Sequence, residues 1–380
     1  MPQRTGDGAS APQRATVGAV VGIGSCLPAR SVDNTEVIAA GGLDSSDEWI
    51  RRRTGIHRRR RAAPGISTGD LAVRAAAAAI ESARTSADGG PGEGQLHCAE
   101  PDFVLLATTT PDHPCPATAP AVAHRLGLHG VPAFDVSAVC SGFLYALATA
   151  DALIRSGACR RPLVIGADTY STIVDPTDRD TAAIFGDGAG AVLLAAADPG
   201  TPGELRAADL GSDGAGAALI TIAAGGSRHP DRQRLDPGAH WFRMQGRAVY
   251  GQAVRQLTAS AGRALDRAGW KPADLGAFVA HQANQRILDS VAERLALPAA
   301  ACFGNLRELG NTAAASIPLV LADDGPQRAL APGTPTLLTA FGGGLTWASV
   351  ALTWPAAHPV RHTVDRPVVD RPAVDRRAVD

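Results

Sequence analysis

Lysine is all but missing from this chain: Lys271 is the single lysine among 36 cationic side chains, and the rest are arginine. Aromatics are scarce too, at 4%, while Gly (42) and Pro (27) are heavily used. That pattern looks like coding bias and carries no function. Neither charge sign prevails. Lys+Arg 36 against Asp+Glu 37 leaves a net −1, which argues against a nucleic-acid partner or an acidic-membrane footprint, so any basic site is local. The longest apolar runs, such as Ala75–Ile80 and Phe143–Ala150, fall far short of the ~20 residues that span a bilayer. No transmembrane helix is expected. Met1–Ala15 is polar and lacks the apolar stretch of a signal peptide. A cytoplasmic, reducing location is therefore expected, with the six cysteines as thiols. None of them is spaced C-x-x-C, so neither a metal site nor a disulfide scaffold is expected.

What is present is enough for a large core. At roughly 150 residues per domain, 380 residues make two domains or one fold with an internal duplication, and 45% hydrophobic against 19% charged excludes disorder for the bulk. Two ends read as disordered tails: residues 1–15, and residues 357–380, where Val364–Asp380 repeats VDRPV, VDRPA and VDRRA with nothing to bury. Between them short apolar runs alternate with Ala-rich helical patterns. Strands are predicted over Thr16–Ile23, Phe103–Thr108, Ala133–Val136 and Pro162–Ala167, then Ala277–Ala280 and Thr336–Ala340. Helices are predicted over Leu71–Arg84, Ala117–Leu126 and Gly142–Ser156, then Gly251–Ala268, Gln285–Leu295 and near Ala313–Ala322. That rhythm is βαβ and implies a largely parallel sheet covered by helices. Gly-rich turns leading into apolar strands, Gly186–Ala196 and Gly342–Trp354, close each half and favour two copies of one α/β unit, 16–200 and 201–356. Segments 86–100 and 225–240 are loops by composition, and the second is placed to wall a substrate channel.

Three segments hold candidate chemistry. In Asp135–Phe143, DVSAVCSGF, Cys140 falls between a strand end and a helix start. Unpaired N–H groups there favour thiolate, and such a turn aims a nucleophile out of the sheet. His281 follows an apolar strand, at the strand tip where open α/β sheets bind ligands. Asn311 lies in a Gly-Asn turn that opens a small-residue helix. Taken singly, Cys140 reads equally as a buried small residue, and the other two as a strand end and a turn.

In order, however, DVSAVCSGF, HQANQRI, GNTAAASIP and AFGGGLTW closely resemble segments of the β-ketoacyl-acyl-carrier-protein synthase III family, starter-condensing ketosynthases of the thiolase fold. SSDEWIRRRTGI and DRDTAAIFGDGAGAVLL match further family segments, and the likeness covers about residues 16–355. The resemblance implies two duplicated α/β halves layered α-β-α-β-α. It also implies no permanently bound cofactor: acyl-CoA is a substrate and phosphopantetheine arrives on acyl carrier protein (ACP). Cys140 would take the acyl group, and malonyl-ACP would then lose CO2 and attack the thioester, a ping-pong order. His281 Nε2 and the Asn311 carboxamide would hold the thioester oxygen where enolate charge develops. The backbone N–H groups of Cys140 and Gly343 would form the oxyanion hole, with Phe341 over the malonyl carboxylate.

Trp49 and Arg179 would sandwich the CoA adenine, and Arg53 would contact a phosphate. The other members of the cluster Arg51, Arg52, Arg53, Arg58, Arg59, Arg60 and Arg61 are taken as surface. Phe185 and Gly246 are further substrate-binding positions, and Arg286 matches a basic position that meets the acidic ACP. Gly251 stands where a family lysine often helps, leaving Arg247 or Arg255 to substitute. Cys115 would reach across a homodimer to floor the acyl pocket; being small, it would admit a longer, branched or cyclic starter. Fatty-acid or, given that pocket, polyketide and other secondary-metabolite starter synthesis is expected. The rival readings are an acyltransferase on the same fold that does not decarboxylate, a non-catalytic partner subunit, and a Cys hydrolase, which would need a His-Asp pair that does not stand out.

Overall fold

The computed structural model describes residues 16–86, 100–230, 236 and 238–366. Two sheets carry the architecture. The first holds β1 (Val17–Pro28), β2 (Phe103–Ala107), β3 (Ala133–Val136), β4 (Pro162–Thr169) and β5 (Asp187–Ala197) in the order β1-β5-β4-β2-β3. Strand β5 runs antiparallel to both neighbours, whereas β4, β2 and β3 are parallel. The second holds β6 (Leu205–Ser212), β7 (Ala277–Ala280), β8 (Pro335–Gly342) and β9 (Thr346–Thr353) in the order β6-β9-β8-β7. Here β9 is antiparallel to both neighbours and β7 is parallel to β8. A parallel bridge from Phe278 to Cys302 takes the place that β3 takes beside β2. The two sheets therefore repeat one topology.

Helices fill three layers, with α1 (Asp47–Thr54), α3 (Thr118–Arg125) and α6 (Gln285–Arg294) at their margins. Outside the first sheet lies α2 (Thr68–Thr85), started by a capping box between Ser67 and Asp70, its alanine face packed on Leu106, Leu163 and Leu193. Outside the second lies α5 (Gly246–Ala268), whose Val254, Leu257 and Leu265 meet Phe278 and Leu337. Between the sheets lie α4 (Gly142–Arg155) and α7 (Ser316–Leu321). Phe143, Leu147, Ile317 and Val320 join Leu105 and Val164 of one sheet to Val279, Leu338 and Val350 of the other in a single core. Among the described residues no helix is long and apolar enough to cross a membrane.

Several boundaries differ from the sequence expectation. Gly186–Gly190 is not a turn: β5 begins at Asp187, and its glycines lie within the strand. A Cβ on Gly190 would stand 2.7 Å from Pro318 Cβ, so glycine there lets α7 lie close on the sheet. Helix α5 starts five residues earlier than expected. Part of the stretch expected to be tail from residue 357 is a strand, because β10 (Val360–Val364) adds to β1 in parallel, pairing Gly24 with Val360 and Pro28 with Val364. It satisfies an edge that would otherwise present unpaired backbone groups. Residues 1–15, most of the 86–100 loop, 231–235, 237 and 367–380 lie outside the described residues.

Candidate active site

Cys140 occupies a 3-10 turn, Val139–Ser141, between β3 and α4. Val139 has φ 48°, a left-handed conformation costly for a β-branched residue and characteristic of turns held in place by their surroundings. The clamp is visible. Ser141 Oγ lies 2.8 Å from Ala138 O and 2.7 Å from Thr346 Oγ1, which in turn is 3.1 Å from Ala138 O and 2.9 Å from Gly343 O. These hydroxyls join the Cys140 turn to the Gly342–Gly344 turn at the end of β8. The approach is close: a Cβ on Gly342 would stand 2.8 Å from Cys140 N.

His281 follows β7, its N–H donating to Thr339 O at 2.7 Å. Its ring is buried, with Nδ1 2.7 Å from Ser316 Oγ. Burial pulls its pKa down to about 3, so the imidazole is neutral at physiological pH. Asn311 bridges to Phe185, and its Oδ1 accepts the Ala313 N–H at 2.9 Å. The carboxamide oxygen is thereby occupied, leaving the NH2 as the group on offer.

Cys140, His281, Asn311, Phe341 and Phe185 line one small cavity of about 40 Å³. A wider cleft of about 880 Å³ opens above it, lined by Trp49, Arg53, Arg179, Gly246, Arg247 and Arg286. Asn311, Met244, Val249, Ala283 and Ile287 line both, so the arginine-rich cleft and the thiol's cavity adjoin across shared walls. Tyr250 lies beneath Arg286, 5.8 Å from its guanidinium.

Comparison with known proteins decides the family. Two family models match, 3-oxoacyl-ACP synthase III over residues 134–214 and its C-terminal counterpart over residues 265–354. The β-ketoacyl-ACP synthase III 3 of Streptomyces coelicolor is 53% identical over 342 residues, covering 90% of this chain and 98% of that one. The chain belongs to the β-ketoacyl-ACP synthase III family. The Pseudomonas aeruginosa member is 48% identical over 341 residues, with 90% of this chain and 97% of that one covered. A crystal structure of 3-oxoacyl-ACP synthase III from Pseudomonas aeruginosa superposes with a TM-score of 0.80 at 46% identity, covering 90% of this chain and all of that one. The priming ketosynthase of a polyketide pathway gives 0.79 at 34%, covering 93% and 100%. The fold is the thiolase-like α-β-α-β-α sandwich.

Within that family frame, two readings of the sequence change, those of Arg59 and of the Cys140 thiol. Arg59 is not surface: it is fully buried, donating to Asn34 Oδ1 at 2.7 Å and to the carbonyls of Val32 and Ala183. Carbonyl acceptors rather than a carboxylate hold this cation, and burial lowers its pKa to about 10. It braces Ala183, two residues before Phe185. Arg179 lies directly on the Trp49 ring at 4.3 Å, with Arg53 at 5.5 Å. The two stack on each other, and an adenine would have to part them. Cys115 is exposed and does not line the cavity of its own chain, as fits a residue expected to act across a dimer.

The second concerns the protonation of Cys140. Burial first, and then the carboxylate of Asp168, push the Cys140 thiol up, against the pull of its backbone N–H and the Tyr170 hydroxyl. Desolvation outweighs the turn's donors, and the cysteine is a neutral thiol. Asp168 itself escaped the sequence reading. It is fully buried, accepting from Thr109 N at 2.7 Å, Ala314 N at 3.0 Å and Thr110 Oγ1 at 3.1 Å. It thus ties the end of β4 to the segment that carries Asn311. Burial raises its pKa to about 7. Tyr170 was missed as well: wholly buried, it stacks on Phe185 with centroids 4.5 Å apart and meets Phe242 edge-on at 5.4 Å. Neither Asp168 nor Tyr170 sits in a motif, so only the fold could bring them to Cys140.

Proposed function

We propose that this chain condenses a starter acyl group with malonyl-ACP, acting as a β-ketoacyl-ACP synthase III-type acyltransferase. The observation that carries the reading is one cavity lined by Cys140, His281 and Asn311 at the foot of an arginine- and tryptophan-lined cleft. In the first half-reaction the Cys140 sulfur attacks the acyl-CoA thioester. A C–S bond forms at Cys140, the bond to CoA breaks, and the cysteine proton leaves with the CoA thiol. Arg53 supplies charge for a CoA phosphate, and Trp49 and Arg179 the faces that hold its adenine.

In the second half-reaction malonyl-ACP brings its pantetheine arm down the same cleft, with Arg286 at the mouth facing the acidic carrier. Loss of CO2 leaves an enolate, whose oxygen accepts from His281 Nε2 and the Asn311 NH2. Neutral donors suit this step because they are held in place in a dry site. The carbanion attacks the Cys140 thioester, the oxyanion is held by the N–H groups of Cys140 and Gly343, and collapse releases the β-ketoacyl-ACP and the cysteine thiolate. Phe341 gives an apolar wall that favours loss of the carboxylate.

A homodimer joined along β3 completes the proposal. That strand ends the first sheet, and Phe134 on it is 41% exposed, one of two large apolar side chains so placed among the described residues. An exposed edge with an apolar side chain is a pairing surface. Cys115 lies just before Thr118 and Ala119, whose N–H groups donate to Asp135 of β3, so a partner across that edge lies close to Cys115. The test of the activity is intact mass after exposure to an acyl-CoA panel, followed by malonyl-ACP. The protein should gain one acyl group, Cys140→Ala should gain none, and CO2 should appear only when malonyl-ACP is added. Acyl transfer to a carrier without CO2 would defeat the condensation.

A further inference from the structure

We infer that Ser316 is a positioning residue for the decarboxylation step: its hydroxyl donates to His281 Nδ1 and fixes the imidazole in the tautomer whose Nε2 carries the proton. The inference rests on the condensation proposed above. Ser316 is 1% exposed and His281 4%, and Oγ stands 2.7 Å from Nδ1, a contact sealed from water. A neutral imidazole has one N–H and one bare nitrogen, so what Nδ1 does decides what Nε2 can do. The distance alone leaves the direction open, because hydroxyl and ring can each donate.

The neighbouring amide favours one direction. Gln282 N–H points at the same Ser316 Oγ, at 3.4 Å. An amide can only donate, so it takes a lone pair of the serine oxygen, and the hydroxyl proton is left to turn toward Nδ1. Nε2 then holds the ring proton and presents it as a donor. In the other tautomer Nε2 would present a lone pair to an oxygen gaining negative charge.

Ser316 is well held for this task. It opens α7 directly after the Ala313–Ala315 turn. That turn gives the Ala313 N–H to Asn311 Oδ1 and the Ala314 N–H to Asp168 Oδ2. The stretch from Asn311 to Ser316 thus supplies one enolate donor from its own side chain and orients the other through Nδ1. Sequence reading singles out Asn311 from this stretch and leaves Ser316 as ordinary helix.

The experiment compares Ser316→Ala, His281→Ala and the unaltered enzyme in two separate steps, and reads the ring nitrogens of His281 by 15N NMR in the unaltered enzyme. Removing a group that orients a metal-ligating histidine typically costs 10–100-fold, and a hydroxyl that orients a donor imidazole is expected to be worth about the same. Ser316→Ala should therefore slow CO2 release from malonyl-ACP by about that factor, while acyl transfer from acyl-CoA to Cys140 keeps its rate. The 15N shifts should show the proton on Nε2. If the proton sits on Nδ1, or if Ser316→Ala releases CO2 at the unaltered rate while His281→Ala does not, the role assigned to Ser316 is wrong and the condensation stands. If His281→Ala also leaves CO2 release untouched, the condensation reading itself falls. Should Ser316→Ala fail to fold, the NMR measurement on the unaltered protein still decides the tautomer.

Discussion

His281 and Asp168 show how far burial resets individual side chains around this thiol. The imidazole's pKa of about 3 means that its charge state is constant from pH 5 to 8. CO2 release from malonyl-ACP should therefore show no acid limb near pH 6.5, the ordinary histidine value; a limb there would mean that the imidazole titrates in the working site. Asn311→Ala removes one of two donors, and by comparison with single oxyanion-hole deletions should cost about 10²–10³ in CO2 release with Cys140 acylation retained. Asp168 moves the other way, from an ordinary 3.8 to about 7. A carboxyl raised in the folded state binds its proton more tightly there than in the unfolded chain. Its contribution to stability is whole below about pH 4 and is lost as pH rises through about 7, a swing on the order of 4 kcal/mol. Urea unfolding between pH 4 and 8 should show the unaltered protein losing stability relative to Asp168→Asn across that window; parallel curves would reject the buried acid. Cys140, His281 and Asn311 were legible because the flanks that position them are local in sequence. Asp168, Ser316 and Tyr170 were not, because their roles come from contacts between segments far apart in the chain. The thiol's protonation was misjudged for the same reason, since local donors can be read from a turn and desolvation cannot.

Elements explain why the site is rigid. Two turns, one carrying Cys140 and one carrying Gly343, meet back to back, and the hydroxyls of Ser141 and Thr346 lock them. Gly342 is where they touch. Gly342→Ala would push a methyl to 2.8 Å from Cys140 N, and one turn must yield. A misplacement of about 1 Å at a reacting group costs roughly 100-fold, so acylation and condensation should both fall by that order while circular dichroism stays native. A Gly342→Ala enzyme of normal rate would show that the turns are not coupled. At this scale the alternation of strand and helix was readable, because period-2 and period-3.6 patterns are local. Two strands of the large sheets escaped it. Leu205–Ser212 alternates only weakly at a sheet edge, and Val360–Val364 adjoins a charged repeat whose composition conceals five residues that find a partner in β1. The glycines of β5 misled in the opposite way, reading as a turn when their office is to let α7 approach.

The whole molecule raises the question of what completes it. The sheet order repeats in both halves, yet the ends of the first sheet differ: β1 is covered by β10, whereas among the described residues β3 has no further strand beside it. On that uncovered strand the Phe134 ring touches Phe103 edge-on at 5.7 Å, yet stays 41% exposed. Pairing β3 with its counterpart in a second copy would bury both rings and extend two sheets into one. Phe134→Asp places a charge where two copies would meet and should convert a dimer to a monomer in sedimentation equilibrium. The side chain lies away from the Cys140 cavity, so the thermal unfolding of each protomer should stay cooperative. The acyl-CoA panel then reads whether a partner's loop matters to the starter. If Cys115 of one copy helps to bound the acyl pocket of the other, the monomer should lose its discrimination among acyl groups while Cys140 still reacts. A Phe134→Asp protein that remains dimeric would place the interface elsewhere, and a monomer with unaltered acyl preference would leave the pocket bounded by Phe185 and Phe242 of its own chain.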